Sequence, residues 1–298
     1  MGTAPGGGAH VKLAIDSYCY HRYFGEWYAG LQEDPGARMT VWDFLARARA
    51  LGVQGVSLES CFLPWQNDAF VERLAATLAE LSLEPVWAWG HPNGLGSGRA
   101  PQQAAELVAN LSVAPRIGAR VMRICGGSRH TRPPTRAEAR GGLLLVLRPL
   151  LHEAEAAGVV MAMENHVDLL ADELAELVQA LDSPWFGVCL DTANNLRLLE
   201  DPLRVVRTLA PYARATHVKD VLSQPGDPRS FAFWPSVPLG EGAVGIPAVL
   251  QVLREAGYQG LLAIEIDYLH PRYGTEDAAV AASVDYLRNQ LAALPPSS

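Results

Sequence analysis

Four residues of this 298-residue chain combine ligand chemistry with an apolar setting: Glu164, Asp191, His217 and Glu265. They sit in the runs VVMAMENH, FGVCLDT, RATHVKD and LLAIEID. A carboxylate in such surroundings loses hydration unless a cation or a metal compensates it. Three carboxylates and one imidazole brought together carry about three negative charges when ionised, so the group repels itself without a cation. Oxygen and imidazole donors without thiolate suit one divalent ion, Mn²⁺ foremost, with Mg²⁺, Co²⁺, Fe²⁺ or Zn²⁺ as alternatives.

These residues must be held by strand ends. Eight short apolar or β-branched runs read as strands: 11–20, 53–59, 83–90, 119–126, 158–166, 185–192, 213–219 and 260–267. Glu164 and Asp191 fall at the ends of the fifth and sixth; His217 and Glu265 lie in the seventh and eighth. Between the runs lie amphipathic stretches with helical spacing. One is 41–51, with Thr40 as N-cap; others are 168–182 and 246–256, the last with Pro247 in its first turn and Gly257 past its end. Gly52, Gly118, Gly158, Gly187 and Gly260 fit helix C-caps or tight helix-to-strand turns. Strands alternating with helices imply right-handed crossovers and a parallel sheet, and eight such units close into a (β/α)₈ TIM barrel. An open doubly wound sheet is disfavoured, because Asp16-Ser-Tyr-Cys-Tyr-His21 closes the first strand run where a glycine-rich phosphate loop would stand. Residues 1–10 read as a disordered N-terminal tail and 11–298 as one barrel domain. Two long connections, 21–39 and 221–244, are rich in aromatic residues and suit pocket walls or lids.

The composition narrows the partners. Hydrophobic residues make up 49% and charged residues 19%, enough for a large core, and the net charge is −8. That charge repels phosphate backbones and argues against nucleic acid. No apolar run approaches the roughly 20 residues that span a membrane, and the N-terminus lacks the order of a signal peptide. Cys19, Cys61, Cys125 and Cys189 are widely spaced and read as reduced, mostly buried thiols of a cytoplasmic protein. A small polar molecule is the partner that remains.

Glu164-Asn165-His166, Asp191-Thr192, His217-Val-Lys-Asp220, the turn Leu239-Gly-Glu-Gly242 and Glu265 resemble the sugar-phosphate isomerase/epimerase group of the xylose isomerase-like TIM barrels. The resemblance runs over nearly the whole chain and is most specific from Glu164 to Glu265. It implies that Glu164, Asp191, His217 and Glu265 are metal ligands, that Glu164 and Glu265 also move the proton, and that the chain forms a homodimer or homotetramer. The implied substrate is a small carbohydrate. Physics agrees with that chemistry: an ion chelated by a carbonyl and its neighbouring hydroxyl stabilises an enediolate, and carboxylates on its two faces exchange the proton. Proton return to another carbon gives isomerisation, return to the opposite face gives epimerisation, and loss of a group gives a lyase or dehydratase. Isomerase or epimerase is the leading expectation, with a lyase second. DNA repair of the endonuclease IV type and non-catalytic sugar binding are minor ones. Two positions depart from the pattern: Asn194 stands where many members carry His, and Ser223 where ketose 3-epimerases carry Arg.

Substrate contacts are expected from further residues. His166 and Lys219 lie two positions from Glu164 and His217, which on a regular strand puts each pair on one side. Asn194 is a candidate donor to a substrate oxygen, and Glu59 a candidate partner for a hydroxyl or for Arg123. Arg123 is the candidate for an anionic substituent, and Trp89 and His91 for stacking on a sugar face. Glu241 is expected in a turn rather than in the site.

Overall fold

The computed structural model describes residues 11–90 and 93–293; the tail expected at 1–10 and His91 lie outside the described residues. Eight parallel strands close into a barrel. They are β1 (Lys12–Asp16), β2 (Gly55–Glu59), β3 (Glu84–Ala88), β4 (Val121–Cys125), β5 (Val160–Glu164), β6 (Phe186–Asp191), β7 (Ala213–Val218) and β10 (Leu261–Ile264). Two short strands that follow β7, β8 (Asp220–Val221) and β9 (Ser236–Val237), pair antiparallel outside the barrel. Eight α-helices, α1 (Val41–Ala50), α2 (Asp68–Leu81), α3 (Ala104–Val113), α4 (Arg136–Ala157), α5 (Ala171–Leu181), α6 (Pro202–Leu209), α7 (Ile246–Glu255) and α8 (Glu276–Ala293), connect and wrap the strands. The expected (β/α)₈ barrel is the fold.

Local chemistry sets the boundaries. Thr40 Oγ1 accepts from Asp43 N and Asp43 Oδ2 accepts from Thr40 N, a reciprocal cap that starts α1. The strand expected over 11–20 stops at Asp16, because Asp16 Oδ1 accepts from Tyr18 N at 2.6 Å and turns the chain into a 3₁₀ segment, Ser17–Phe24. Gly158 ends α4 at φ 65°, as expected of a cap. Gly187 has another role: it lies inside β6, where a Cβ would meet Arg214 Cγ at 2.5 Å and Tyr212 O at 2.7 Å, so close approach of chains requires glycine there.

The barrel interior is a separate small apolar cluster of Ala14, Val86, Ala162, Cys189, Ala215, Leu261 and Ala263, with Val121 against it. The much larger cluster fills the space between strands and helices. Side chains alternate faces along a strand, so the residue two positions on points inward one layer higher. From Ala14, Val121, Ala162, Cys189, Ala215 and Ala263 that step leads to Asp16, Arg123, Glu164, Asp191, His217 and Glu265. A layer of small apolar residues thus forms the floor, and a layer of charged residues crowns it at the C-terminal mouth, where barrels of this kind place their sites.

Candidate metal centre and active-site cavity

Glu164, Asp191, His217 and Glu265 converge at that mouth, with one ligand atom from each within 4.8 Å of all the others. All four are buried. His217 faces the carboxylates with Nδ1, 3.4 Å from Glu164 Oε1 and 3.2 Å from Glu265 Oε2, while Nε2 lies 3.4 Å from Asp16 Oδ2. Register contributes directly: Asp191 on β6 pairs with His217 on β7. Asp191 Oδ1 accepts from the amides of Ala193 and Asn194 at 2.8 and 2.7 Å, which turns Oδ2 inward.

Buried carboxylate charge dominates the mouth. Six buried carboxyl groups, Asp16, Glu59, Glu164, Asp191, Glu265 and Asp267, face the three cations Arg123, Lys219 and Arg197; with Glu59 protonated and His217 neutral, as a metal ligand must be, about two negative charges remain. Asp191 Oδ2 and Glu265 Oε2 are buried and accept no well-aligned hydrogen bond. Their near neighbour is Lys219 Nζ, at 3.2 and 2.9 Å, which supplies charge without directed bonding. Unsatisfied carboxylate oxygens, a residual negative charge and an imidazole nitrogen turned to the same point are what a divalent cation requires, so the residues fit one.

The neighbours tune the acids. Burial works to raise the Glu164 carboxyl, but Arg123 and His217 overrule it and hold it well below the usual carboxylate range. At Glu265 burial likewise acts upward, and Lys219 and His217 bring it down to about 2. Burial pushes Asp191 up, with Lys219 opposing. Burial also raises Glu59, to about 8, against the pull of Arg123. The two glutamates are therefore held ionised while Glu59 is held close to neutral protonation.

The other expected residues separate into two groups. His166, Asn194, Lys219, Arg123 and Glu59 all line one cavity of about 980 Å³ together with Glu164 and Glu265. Their polar groups are partly engaged. Arg123 donates Nε to Glu164 Oε2 at 2.7 Å and reaches Glu59 at 3.4 Å. Asn194 Nδ2 donates to Glu164 Oε1 at 2.9 Å, so the residue standing in place of His holds a cluster carboxylate. Lys219 lies just past β7, bonded also to Asp267 Oδ2 at 3.0 Å, and His166 lies past the end of β5 beside Gly127 O at 3.2 Å. Trp89 is elsewhere: fully buried, it directs its indole N–H to Glu106 at 3.1 Å and does not line the cavity. Glu241 sits in an exposed turn, accepting from Tyr273 Oη at 2.6 Å.

Several residues of the mouth escaped the sequence reading. Asp16 backs His217. Asp267 anchors Lys219, accepts from Ser236 Oγ at 2.6 Å and is approached by Arg197 at 3.5 Å. Arg197 lies over the Phe231 ring, and Phe231 packs at a tilt against Tyr28, so the two long loops meet at the cavity. The alternation Ala14-x-Asp16 and Glu265-x-Asp267 carried a signal for two of them; Arg197 lies in a short 3₁₀ turn that has no periodicity to read. The motif residues between the ligands prove to be staples. Asn165 clamps the Asp191 backbone through both amide atoms at 2.8 Å, Thr192 Oγ1 ties β6 to Lys219 N and O, and the Asp220 carboxylate accepts from the amides of Val221, Gly240, Gly242 and Val244. A Cβ on Gly242 would lie 2.1 Å from Asp220 Oδ1, which explains glycine in that turn.

Comparison with known proteins places this architecture. The 3-oxo-isoapionate decarboxylase of Pectobacterium atrosepticum is 32% identical over 114 residues, 38% of this chain and 40% of that protein. The 2-epi-5-epi-valiolone 7-phosphate 2-epimerase of an Actinoplanes species is 36% identical over 109 residues, 36% of this chain and 37% of that protein. The chain thus matches well under half the length of either. The crystal structure of the IOLI protein with a bound zinc atom superposes with a TM-score of 0.75 at 16% identity, covering 95% of this chain and 98% of that one, a likeness of fold. The family model described as Xylose isomerase-like TIM barrel matches residues 45–290, more than four-fifths of the sequence, and the chain belongs to that family.

Proposed function

We propose that this chain is a divalent-metal-dependent isomerase or epimerase of a keto sugar or sugar acid, cytoplasmic and homo-oligomeric, with Mn²⁺ as the preferred ion. The observation that supports this most is the pair of buried, ionised glutamates, Glu164 from β5 and Glu265 beyond β10, with His217 Nδ1 3.4 and 3.2 Å from their nearer oxygens. Glu164, Asp191, His217 and Glu265 would hold the ion, which would supply positive charge to the oxygens of the substrate. Arg123 and Asn194 fix both oxygens of Glu164, so that carboxylate keeps one orientation toward the cavity. Lys219, with its ammonium 2.9 Å from Glu265 Oε2, lowers the energy of the ionised form of Glu265. A carboxylate held ionised is in the form that can accept a proton at neutral pH, and two of them from non-adjacent strands can serve two faces of one substrate. Glu59, held close to neutral protonation, is positioned as a proton donor to a substrate oxygen.

A lyase is the second reading. The named activity of the Pectobacterium relative favours it, since a 3-oxo acid that loses its carboxyl group leaves an enolate needing the same charge. One experiment separates the readings. Keto sugars, their phosphates and keto sugar acids that bind the Mn²⁺-loaded protein are incubated in D₂O and followed by mass spectrometry. An isomerase or epimerase introduces deuterium at constant heavy-atom composition, and Glu164→Gln and Glu265→Gln each abolish it. A lyase loses a fragment or water. A sugar that binds, exchanges no hydrogen and stays intact rejects both readings in favour of sugar binding alone.

A further inference from the structure

The cavity is polar in a graded way that the ligand cluster does not explain. Its floor is acidic and buried: Glu59, Glu164, Glu265 and Asp267 are at most 5% exposed. Its rim is basic and exposed, built by Arg129 and His130 from the loop after β4 and by Arg229 from the connection between β8 and β9, with Ser128 and Ser230 beside them. Arg129 Nη1 donates to Arg229 O at 2.8 Å, which joins the two loops across the mouth. Most arginines around the site are committed: Arg123 to Glu164 and Glu59, Arg132 to Glu173, and Arg197 to Asp267. Among the described residues, neither Arg129 nor Arg229 forms an ion pair. The remaining acid of the wall, Glu26, accepts from Tyr18 Oη.

Size adds a second constraint. About 980 Å³ lies at the top of the roughly 300–1,000 Å³ spanned by ligand pockets. A bare ketose chelated at the floor leaves the rim untouched. A neutral sugar gains only ordinary hydrogen bonds from two guanidinium groups without ion-pair partners, whereas a planar or tetrahedral oxyanion gains the stronger charge-assisted, bidentate bonds from both.

We propose that Arg129 and Arg229, with Ser128, His130 and Ser230, form a subsite for an anionic group, a phosphate ester or a carboxylate, at the end of the substrate distal to the metal. As a statement about substrate, this rests on the reading of the floor as a metal-dependent sugar site. The anion subsite itself is separately measurable.

The test titrates the full-length protein, at constant ionic strength in chloride, with inorganic phosphate and separately with malonate, by calorimetry. Wild type is compared with the exposed-site variant Arg129→Gln/Arg229→Gln, and Mn²⁺ affinity is measured for both. Saturable millimolar binding of one anion to wild type, weakened tenfold or more in the variant with Mn²⁺ affinity unchanged, is the expected result. Tighter phosphate identifies a phosphate ester, tighter malonate a carboxylate. Absence of saturable binding to wild type, or binding within twofold in the variant, overturns the subsite. If wild type fails to bind Mn²⁺ while the anion difference persists, the enzymatic reading falls and the subsite stands.

Discussion

Asp16 offers a sharp perturbation of the candidate metal centre, because its two oxygens have different duties. Oδ1 accepts from Tyr18 N at 2.6 Å, and Oδ2 faces His217 Nε2 at 3.4 Å and accepts no aligned hydrogen bond. His217 turns Nδ1 toward the carboxylates, so a metal there needs the Nδ1 lone pair, with the proton on Nε2 facing Asp16. In Asp16→Asn the amide oxygen must stay on Tyr18 N, since an NH₂ group 2.6 Å from that N–H would repel it. The NH₂ then points at Nε2 and favours the tautomer with its proton on Nδ1, the wrong one for ligation. Loss of such a partner costs about 10–100-fold in metal affinity, or about 1.4–2.7 kcal/mol. The 3.4 Å contact is long, so Asp16→Ala falls near the tenfold end, and Asp16→Asn, which adds a misdirected donor, falls beyond it. Competition against a fluorescent Mn²⁺ chelator measures both, with thermal melts in chelator confirming that each variant folds. Mn²⁺ affinity of Asp16→Asn within threefold of wild type, or tighter than that of Asp16→Ala, refutes the tautomer argument.

Lys219→Met removes the ammonium lying between Asp191, Glu265 and Asp267. Breaking a buried ion set of this kind costs roughly 3–5 kcal/mol, so the variant melts well below wild type in EDTA, and Mn²⁺ restores most of the loss; equal loss with and without Mn²⁺ counts against Lys219 as an internal counter-charge. Asp220→Ala orphans four backbone donors. Gly240 and Gly242 are reachable by water, but Val221 and Val244 are buried, giving about 2–4 kcal/mol of destabilisation in urea unfolding, and a change under 1 kcal/mol contradicts the stapling role. Trp89→Phe removes an indole that does not line the cavity, so it lowers the melting temperature while leaving the affinity of a bound sugar within twofold; a tenfold affinity loss returns Trp89 to the substrate site.

The barrel was legible because two periods run together in this chain. Helical stripes alternate with short apolar runs eight times, and inside the runs an Ala or Cys two positions before each polar residue marks the inward face: Ala162-x-Glu164, Cys189-x-Asp191, Ala215-x-His217 and Ala263-x-Glu265. A charged residue at the end of such a run has nowhere to point but the mouth. The same pattern at Ala14-x-Asp16 is masked in the sequence because strand-like residues continue to position 20, past the point where the structure ends the strand. What periodicity cannot encode is commitment. Arg123 and Trp89 both read as substrate contacts, yet which way a guanidinium or indole turns depends on Glu164, Glu59 and Glu106, brought near by crossovers rather than by spacing. The rim arginines were invisible for the same reason: Arg129 and Arg229 are 100 residues apart and meet only because their loops share one face of the barrel.

The buried Glu164–Asp191–His217–Glu265 cluster is proposed to hold one divalent cation. Elemental analysis of the purified protein, beside a Glu164→Gln/Glu265→Gln variant, tests it most directly. Close to one divalent ion per chain in the parent, or uptake to that level from Mn²⁺, and loss of it in the variant, whose folding a thermal melt checks, is the expected result. A parent that remains metal-free after incubation with Mn²⁺, Co²⁺ and Zn²⁺ contradicts it.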